Sequence, residues 1–295
     1  MGVGLGGNKL RKLEYLIGDA FNQGADCIIT MGARQSNHAR LTAAAAAKAG
    51  LKCELVLNRL VPISSAEYLD SGNMVLNRIF GATIFDLPSD ADTMDFSLKR
   101  VEELKASGFS PYLIPTGGSN ATGCLGYVAC YQEIIDQSVQ SGINYNTIIV
   151  PNGSGGTQAG LLAGATISGN NLLPRGYNVL SDPEIAATST LEKTLDVLKR
   201  LNVNASVPMS ELTLEHGYRG PAYGIPTLAM KNALNLLART EGILFIAGRH
   251  LPGCLVTLKM GCLKQVIVSC LSRRAGRRVF LLTILISVDK TAQYG

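Results

Sequence analysis

Short β-rich runs alternate with helical stretches along this chain, and that alternation constrains the fold more than any other feature. The run 27–30 is followed by a helical stretch at 39–49, 53–57 by 67–80, 112–114 by 125–135, and 147–150 by 158–165. Such a pattern predicts parallel strands joined by crossover helices. In open sheets of this kind ligands bind outside the carboxyl ends of the strands. The loops after Thr30, Ile114 and Val150 are therefore where chemistry is expected, and each is rich in Gly, Ser, Thr or Asn. The alanine run 43–47 suits a helix packed closely on a sheet.

The segment Gly6-Gly7-Asn8-Lys9-Leu10-Arg11-Lys12-Leu13 opens a helix, because Leu10, Leu13, Leu16 and Ile17 recur at helical spacing. Asn8 is a good N-cap and places Lys9 at the first position of the helix. A cation there meets the positive end of the helix dipole, so its pKa should fall, which suits an amine that must form a Schiff base. The competing reading is a solvated basic face of Lys9, Arg11 and Lys12.

Pro151-Asn152-Gly153-Ser154-Gly155-Gly156-Thr157-Gln158 follows the apolar run 147–150 directly. Glycines there let the backbone close around an anion, while N–H groups at a helix start and the hydroxyls of Ser154 and Thr157 donate. That makes Ser154, Gly155, Gly156 and Thr157 a candidate phosphate cup. A P-loop lysine is missing, and Gln158 stands where a dinucleotide fingerprint needs its last glycine. A nicotinamide site still competes, with Asp182 on a ribose.

Between a strand and a helix stands Gly32-Ala33-Arg34-Gln35-Ser36-Asn37-His38. Ser36 and the adjacent amides could hold a substrate carboxylate, and Asn37 could hydrogen-bond a phenolic oxygen. An ordinary helix start has the same wording. Gly117-Gly118-Ser119-Asn120 and Gly220-Pro221-Ala222-Tyr223-Gly224 are common turn compositions on their own.

The 295 residues suffice for two domains. A formal charge of +5 comes from the end of the chain, where 246–295 holds eight basic residues and one acid, leaving 19 basic against 21 acidic elsewhere. A near-neutral body gives no reason to expect nucleic acid. The seven cysteines lack any C-x-x-C pair, and with only three histidines no metal site is expected. They read as reduced and mostly buried. No signal peptide or membrane span is expected either, which makes the cytoplasm the default compartment.

In order and wording these five motifs, spread over residues 4–245, resemble the D-cysteine desulfhydrase and ACC deaminase family. The resemblance implies an α/β, two-domain, fold-type-II pyridoxal phosphate (PLP) enzyme of the tryptophan synthase β type, with parallel sheets flanked by helices. It implies a smaller domain, 13–120, a larger cofactor-binding domain, 1–12 with 121–245, and a homodimer acting on a small amino acid. By position, Lys9 matches the Schiff-base lysine that also moves the proton at the substrate Cα. Asn37 matches the residue facing the 3-hydroxyl of the cofactor, and Ser154 to Thr157 match its phosphate cup. Ser36, Asn37, His38 and Tyr223 match the substrate side, with Ser36 and Tyr223 also counted as catalytic.

The implied reaction is β-elimination of D-cysteine. His38 favours it, since ACC deaminases carry glutamine there, although ACC deaminase and L-cysteate sulfo-lyase remain open. The family's Asp-Pro-Val-Tyr-x-Gly-Lys and His-x-Gly-Gly motifs are absent after Phe245, where the basic excess begins. That change predicts an out-of-frame tail at 246–295, and the early lysine motif predicts a family fold incomplete at both ends. An inactive or binding-only relic is the alternative of another class.

Overall fold

The computed structural model describes residues 2–221, 224–241, 265–268 and 284–287. The chain divides into two compact units, one containing Met1–Gly126 and the other starting at Tyr127.

In the first unit the order is α1 (Leu10–Asn22), β1 (Cys27–Ala33), α2 (Asn37–Ala49), β2 (Lys52–Asn58), α3 (Ala66–Asp70), α4 (Asn73–Ile79), β3 (Thr83–Leu87), α5 (Thr93–Ala106) and β4 (Pro111–Ile114). The first residues of α6 (Ala121–Ser141) also belong to it. Its four strands lie in the order β3-β2-β1-β4, all parallel. Side chains alternate across the sheet. Ile28, Leu55 and Leu57 pack on one face with Leu13, Leu16 and Leu41 of α1 and α2, and Cys27, Ile29, Met31 and Val56 pack on the other with Val101 and Leu104 of α5. Both faces are covered, which is why β1 and β2 are largely apolar, the buried charged exception, Glu54, being paired with Arg100 (2.7 Å).

The helix expected at 67–80 is two helices, interrupted at Ser71 and Gly72. Gly72 has φ +57, and a side chain from outside takes over the interrupted backbone. Gln35 Nε2 donates to the carbonyls of Tyr68 (2.6 Å) and Ser71 (3.0 Å), while its Oε1 accepts from Asn73 N (2.9 Å). A Cβ at Gly72 would come 3.0 Å from Gln35 Oε1, so the glycine makes room for the inserted amide.

In the second unit, after the rest of α6, come β5 (Thr147–Asn152), α7 (Gly156–Ser168), β6 (Pro174–Asn178), α8 (Pro183–Arg200), β7 (Thr213–Glu215), α9 (Leu228–Glu241), β8 (Gln265–Val268) and β9 (Ile284–Ser287). The strand order is β7-β6-β5-β9-β8. β5, β6 and β7 are parallel, as the alternation predicts, whereas β9 runs antiparallel to both β5 and β8. Two short strands thus come from the stretch 246–295. Cys27, Cys53, Cys124 and Cys130 are buried and not in disulfides, while Cys254, Cys262 and Cys270 lie outside the described residues. Among the described residues no helix is long and apolar enough to cross a membrane, and no group of His, Cys, Asp and Glu could hold a metal ion.

Candidate active site

Lys9 stands at the start of α1, but not as its first helical residue. The helix begins at Leu10, and Lys9 itself occupies the capping position with no side-chain cap. Asn8, expected to cap, instead accepts from Lys9 Nζ through its Oδ1 (3.2 Å). A shift of one residue at a helix end is small. The Lys9 pKa falls to about 7, first because burial strips water from the cation and then because Lys12 lies near it. The expected direction is found with a different cause, since burial rather than the helix dipole leads.

Lys12, which the sequence allowed as part of a solvated basic face, is 1% exposed. Its Nζ donates to Ser119 Oγ (2.7 Å) and to the Gly117 carbonyl (3.2 Å), so the turn Gly117-Gly118-Ser119 is its receptor. Gly117 and Gly118 both have positive φ, at +70 and +58, which brings that carbonyl and that hydroxyl round to one amine. The signal in the sequence was spacing: Lys12 falls on the same side of α1 as Leu13 and Leu16, which are buried. Asn120 Oδ1 then accepts from Gly123 N (2.9 Å) and starts α6.

The Ser36–His38 segment starts α2. Ser36 caps that helix, its Oγ accepting from Ala39 N (3.2 Å), so the ordinary helix-start reading holds for its hydroxyl. Asn37 is half-buried, and its Oδ1 accepts from Asn73 Nδ2 (2.9 Å). His38 is buried with Nε2 2.8 Å from Thr30 Oγ1. Thr30 has one hydroxyl proton and gives it to the Ile114 carbonyl (2.8 Å), so His38 Nε2 carries the proton of that contact and Nδ1 is a bare lone pair. Nδ1 has no hydrogen-bond partner among the described residues. Burial, then Lys9, then Lys12 push the His38 pKa down to about 3, so the ring is neutral at physiological pH. Arg40 Nη2 donates to the Gly6 carbonyl (3.1 Å), which ties α2 to the loop before Lys9. Lys9, Lys12 and His38 are thus brought into one electrostatic cluster within the first unit.

The glycine cup lies in the second unit, between β5 and α7. Gly155, Gly156 and Thr157 are buried and Ser154 is half-buried. Gly155 takes φ +79, and α7 starts at Gly156, so the first N–H groups of that helix have no partner within it. Gln158 points away from an anion into the sheet. Its Nε2 donates to the carbonyls of Pro174 (3.2 Å) and Thr213 (2.8 Å), and its Oε1 accepts from Asn152 Nδ2 (2.8 Å), which also reaches Thr190 Oγ1 (2.9 Å). This buried amide network braces the turn from below. Asp182, the ribose ligand of the nicotinamide reading, caps α8 by accepting from Glu184 N (3.0 Å). Tyr223 lies outside the described residues.

Taken unit by unit, these features suit the chemistry of pyridoxal phosphate: in the first, an amine with a lowered pKa and an amide side chain at the start of α2, and in the second, a helix start preceded by glycines whose N–H groups can receive an anion. Comparison with known proteins points the same way. Residues 3–247 match the family model described as pyridoxal-phosphate dependent enzyme. A D-cysteine desulfhydrase of Serratia proteamaculans is 39% identical over 250 residues, covering 82% of this chain and 72% of that one. Another, of Yersinia pestis, is 38% identical over 258 residues, covering 86% and 77%. A solved structure described as an ACC deaminase homologue superposes with TM-score 0.77 at 34% identity, covering 88% of this chain and 77% of its own. A solved threonine deaminase, 18% identical with TM-score 0.58 over 87% of this chain and 79% of its own, shares the fold. The nicotinamide reading is overturned by these matches, and the chain belongs to the pyridoxal-phosphate-dependent enzyme family as a lyase of the fold-type-II kind.

Proposed function

We propose that this chain is a D-cysteine desulfhydrase-like lyase, converting D-cysteine and water to pyruvate, ammonia and hydrogen sulfide. The observation that carries the reading is Lys9, whose amine is held near pKa 7 by burial and by Lys12. It is therefore available both as a nucleophile for the cofactor carbonyl and as a base at the substrate Cα. The relatives' printed activity and the histidine at position 38 favour D-cysteine, while the ACC deaminase homologue among solved structures keeps 1-aminocyclopropane-1-carboxylate as the second reading, with L-cysteate beside it.

In this reading Lys9 holds the cofactor and moves the Cα proton. Asn37 donates to the ring oxygen, and Ser154, Gly155, Gly156 and Thr157 receive the phosphate. Ser36, with its neighbouring amides, meets the substrate carboxylate; His38 belongs to the same loop but spends its one N–H on Thr30 and so donates nothing to that carboxylate, and Tyr223 is assigned to the substrate side by resemblance. When bound, the cofactor supplies the electron sink for the pair left at Cα. A neutral His38 adds no positive charge beside Lys9, and so leaves its amine basic enough to take a proton. The reading also includes a smaller domain at 13–120, a larger one at 1–12 with 121–245, a cytoplasmic homodimer, and no nucleic-acid or membrane partner.

The test is direct. Protein loaded with pyridoxal phosphate should absorb in the visible, lose that band to borohydride or to Lys9→Ala, and release sulfide from D-cysteine. A borohydride-sensitive band without sulfide release would sink the desulfhydrase activity and leave the cofactor assignment standing.

A further inference from the structure

The amides around Asn37 have only one self-consistent orientation, because each is pinned by a main-chain group whose role is fixed. Asn73 N–H can only donate, so the atom of Gln35 facing it is the oxygen (2.9 Å). The other end of Gln35 is then the NH2 group, and it meets two carbonyls, Tyr68 and Ser71, which can only accept. Asn73 Nδ2 meets the carbonyl of Gln35 (2.8 Å), so it is the nitrogen, and its second hydrogen points to Asn37 (2.9 Å). Asn37 must present its oxygen to that hydrogen. Its own NH2 is turned away from Asn73 and has no partner among the described residues. Asn73 is 7% exposed, so water does not compete for these contacts.

We propose that Asn73 is a positioning residue, holding the Asn37 amide so that it can donate but not accept, and thereby binding the cofactor with its ring oxygen in the anionic form. The inference rests on the reading above in which Asn37 faces that oxygen. An asparagine free to rotate would serve a protonated hydroxyl equally well by accepting from it. With its oxygen turned to Asn73, Asn37 presents N–H on its other side, which favours a negative oxygen there. The interrupted helix α3/α4 gains a purpose as well, since its break puts Asn73 at the start of α4 beside Gln35.

The test needs no substrate. Cofactor-free protein is titrated with pyridoxal phosphate, and both the dissociation constant and the pH dependence of the visible band are measured for wild type, Asn37→Ala, Asn73→Leu and the double variant. The expected result is roughly tenfold weaker binding for each single variant, a rise in the pH at which the bound ring oxygen ionises, and no further change in the double variant. Effects of Asn73→Leu that add to those of Asn37→Ala, or a wild-type titration curve for Asn73→Leu, would overturn the proposal. Asn73→Ser serves where the leucine variant does not fold, and a smaller shift that again vanishes in the Asn37→Ala background supports it. Failure of the underlying reading looks different: wild type forms no borohydride-sensitive band, or Asn37→Ala binds the cofactor as wild type does.

Discussion

Gly126 on α6 sits so close to Arg11 on α1 that a Cβ on the glycine would come 2.1 Å from the Arg11 carbonyl oxygen. Backbone meets backbone there, one turn from Lys9, so the start of α1 is located by a helix that tolerates no side chain at the crossing. Gly126→Ala must push the two helices apart, since a carbonyl oxygen has no rotamer to retreat into. We expect a loss of about 3 kcal/mol in stability, together with much weaker pyridoxal phosphate binding. Urea unfolding and a cofactor titration check the two effects, and an unchanged midpoint would mean that the crossing is looser than it looks.

Lys12 is the second cause of the depressed Lys9 pKa of about 7. Replacing it by methionine removes a like charge, so the Lys9 pKa should move up toward its ordinary value of 10.5 without reaching it, because burial is the larger cause. The rate at which Lys9 reacts with an amine-directed label, followed against pH in cofactor-free protein by mass spectrometry, should shift to higher pH. A curve superimposable on wild type would remove Lys12 as a determinant.

His38 gives the fold an acid sensitivity of predictable sign. Its pKa is about 3 folded against an ordinary value of 6.5, so the unfolded chain binds the proton more readily. Stability is fully retained above about pH 6.5 and falls as the pH drops from there toward 3. In His38→Gln, which keeps a donor for Thr30, the urea midpoint should change less over that window. Parallel curves for the two proteins would assign the acid loss to other groups.

Gln158 joins three strands of the second unit through one amide. Gln158→Leu leaves the Pro174 and Thr213 carbonyls without this donor and Asn152 Nδ2 with only one of its two acceptors, Thr190. The expected cost is about 3 kcal/mol. Because the amide braces the turn that carries Gly155, phosphate-dependent cofactor affinity should fall too, more for pyridoxal phosphate than for pyridoxal. Equal losses for both cofactors would detach the network from the proposed phosphate cup.

Much of the first unit was legible because its signals are local. The alternation of apolar runs and helical stretches located β1, β2 and β4 there, and β5 in the second unit, to within a few residues, and Ser36 announced the start of α2. What the sequence hid depends on partners distant along the chain. Nothing at 67–80 reveals that Gln35 will break a helix there. Lys12 resembled surface charge until the turn 117–119 was seen to receive it. β3, β6 and β7 were unread, being short and less apolar: Thr83–Leu87 carries an aspartate, Pro174–Asn178 an arginine and Thr213–Glu215 a glutamate. Asn73 offered no local hint either, since it falls inside the stretch 67–80 that reads as a single helix.

The Gln35 side chain does for the 68–73 stretch what main chain ordinarily does for itself. Tyr68 and Ser71 hand their carbonyls to it, and both belong to a strip of largely exposed residues that selection on packing alone would leave free to drift. Replacements on that outer strip which alter its local shape therefore pull on an interior amide, so a surface exchange that looks innocuous can retune chemistry several residues inward.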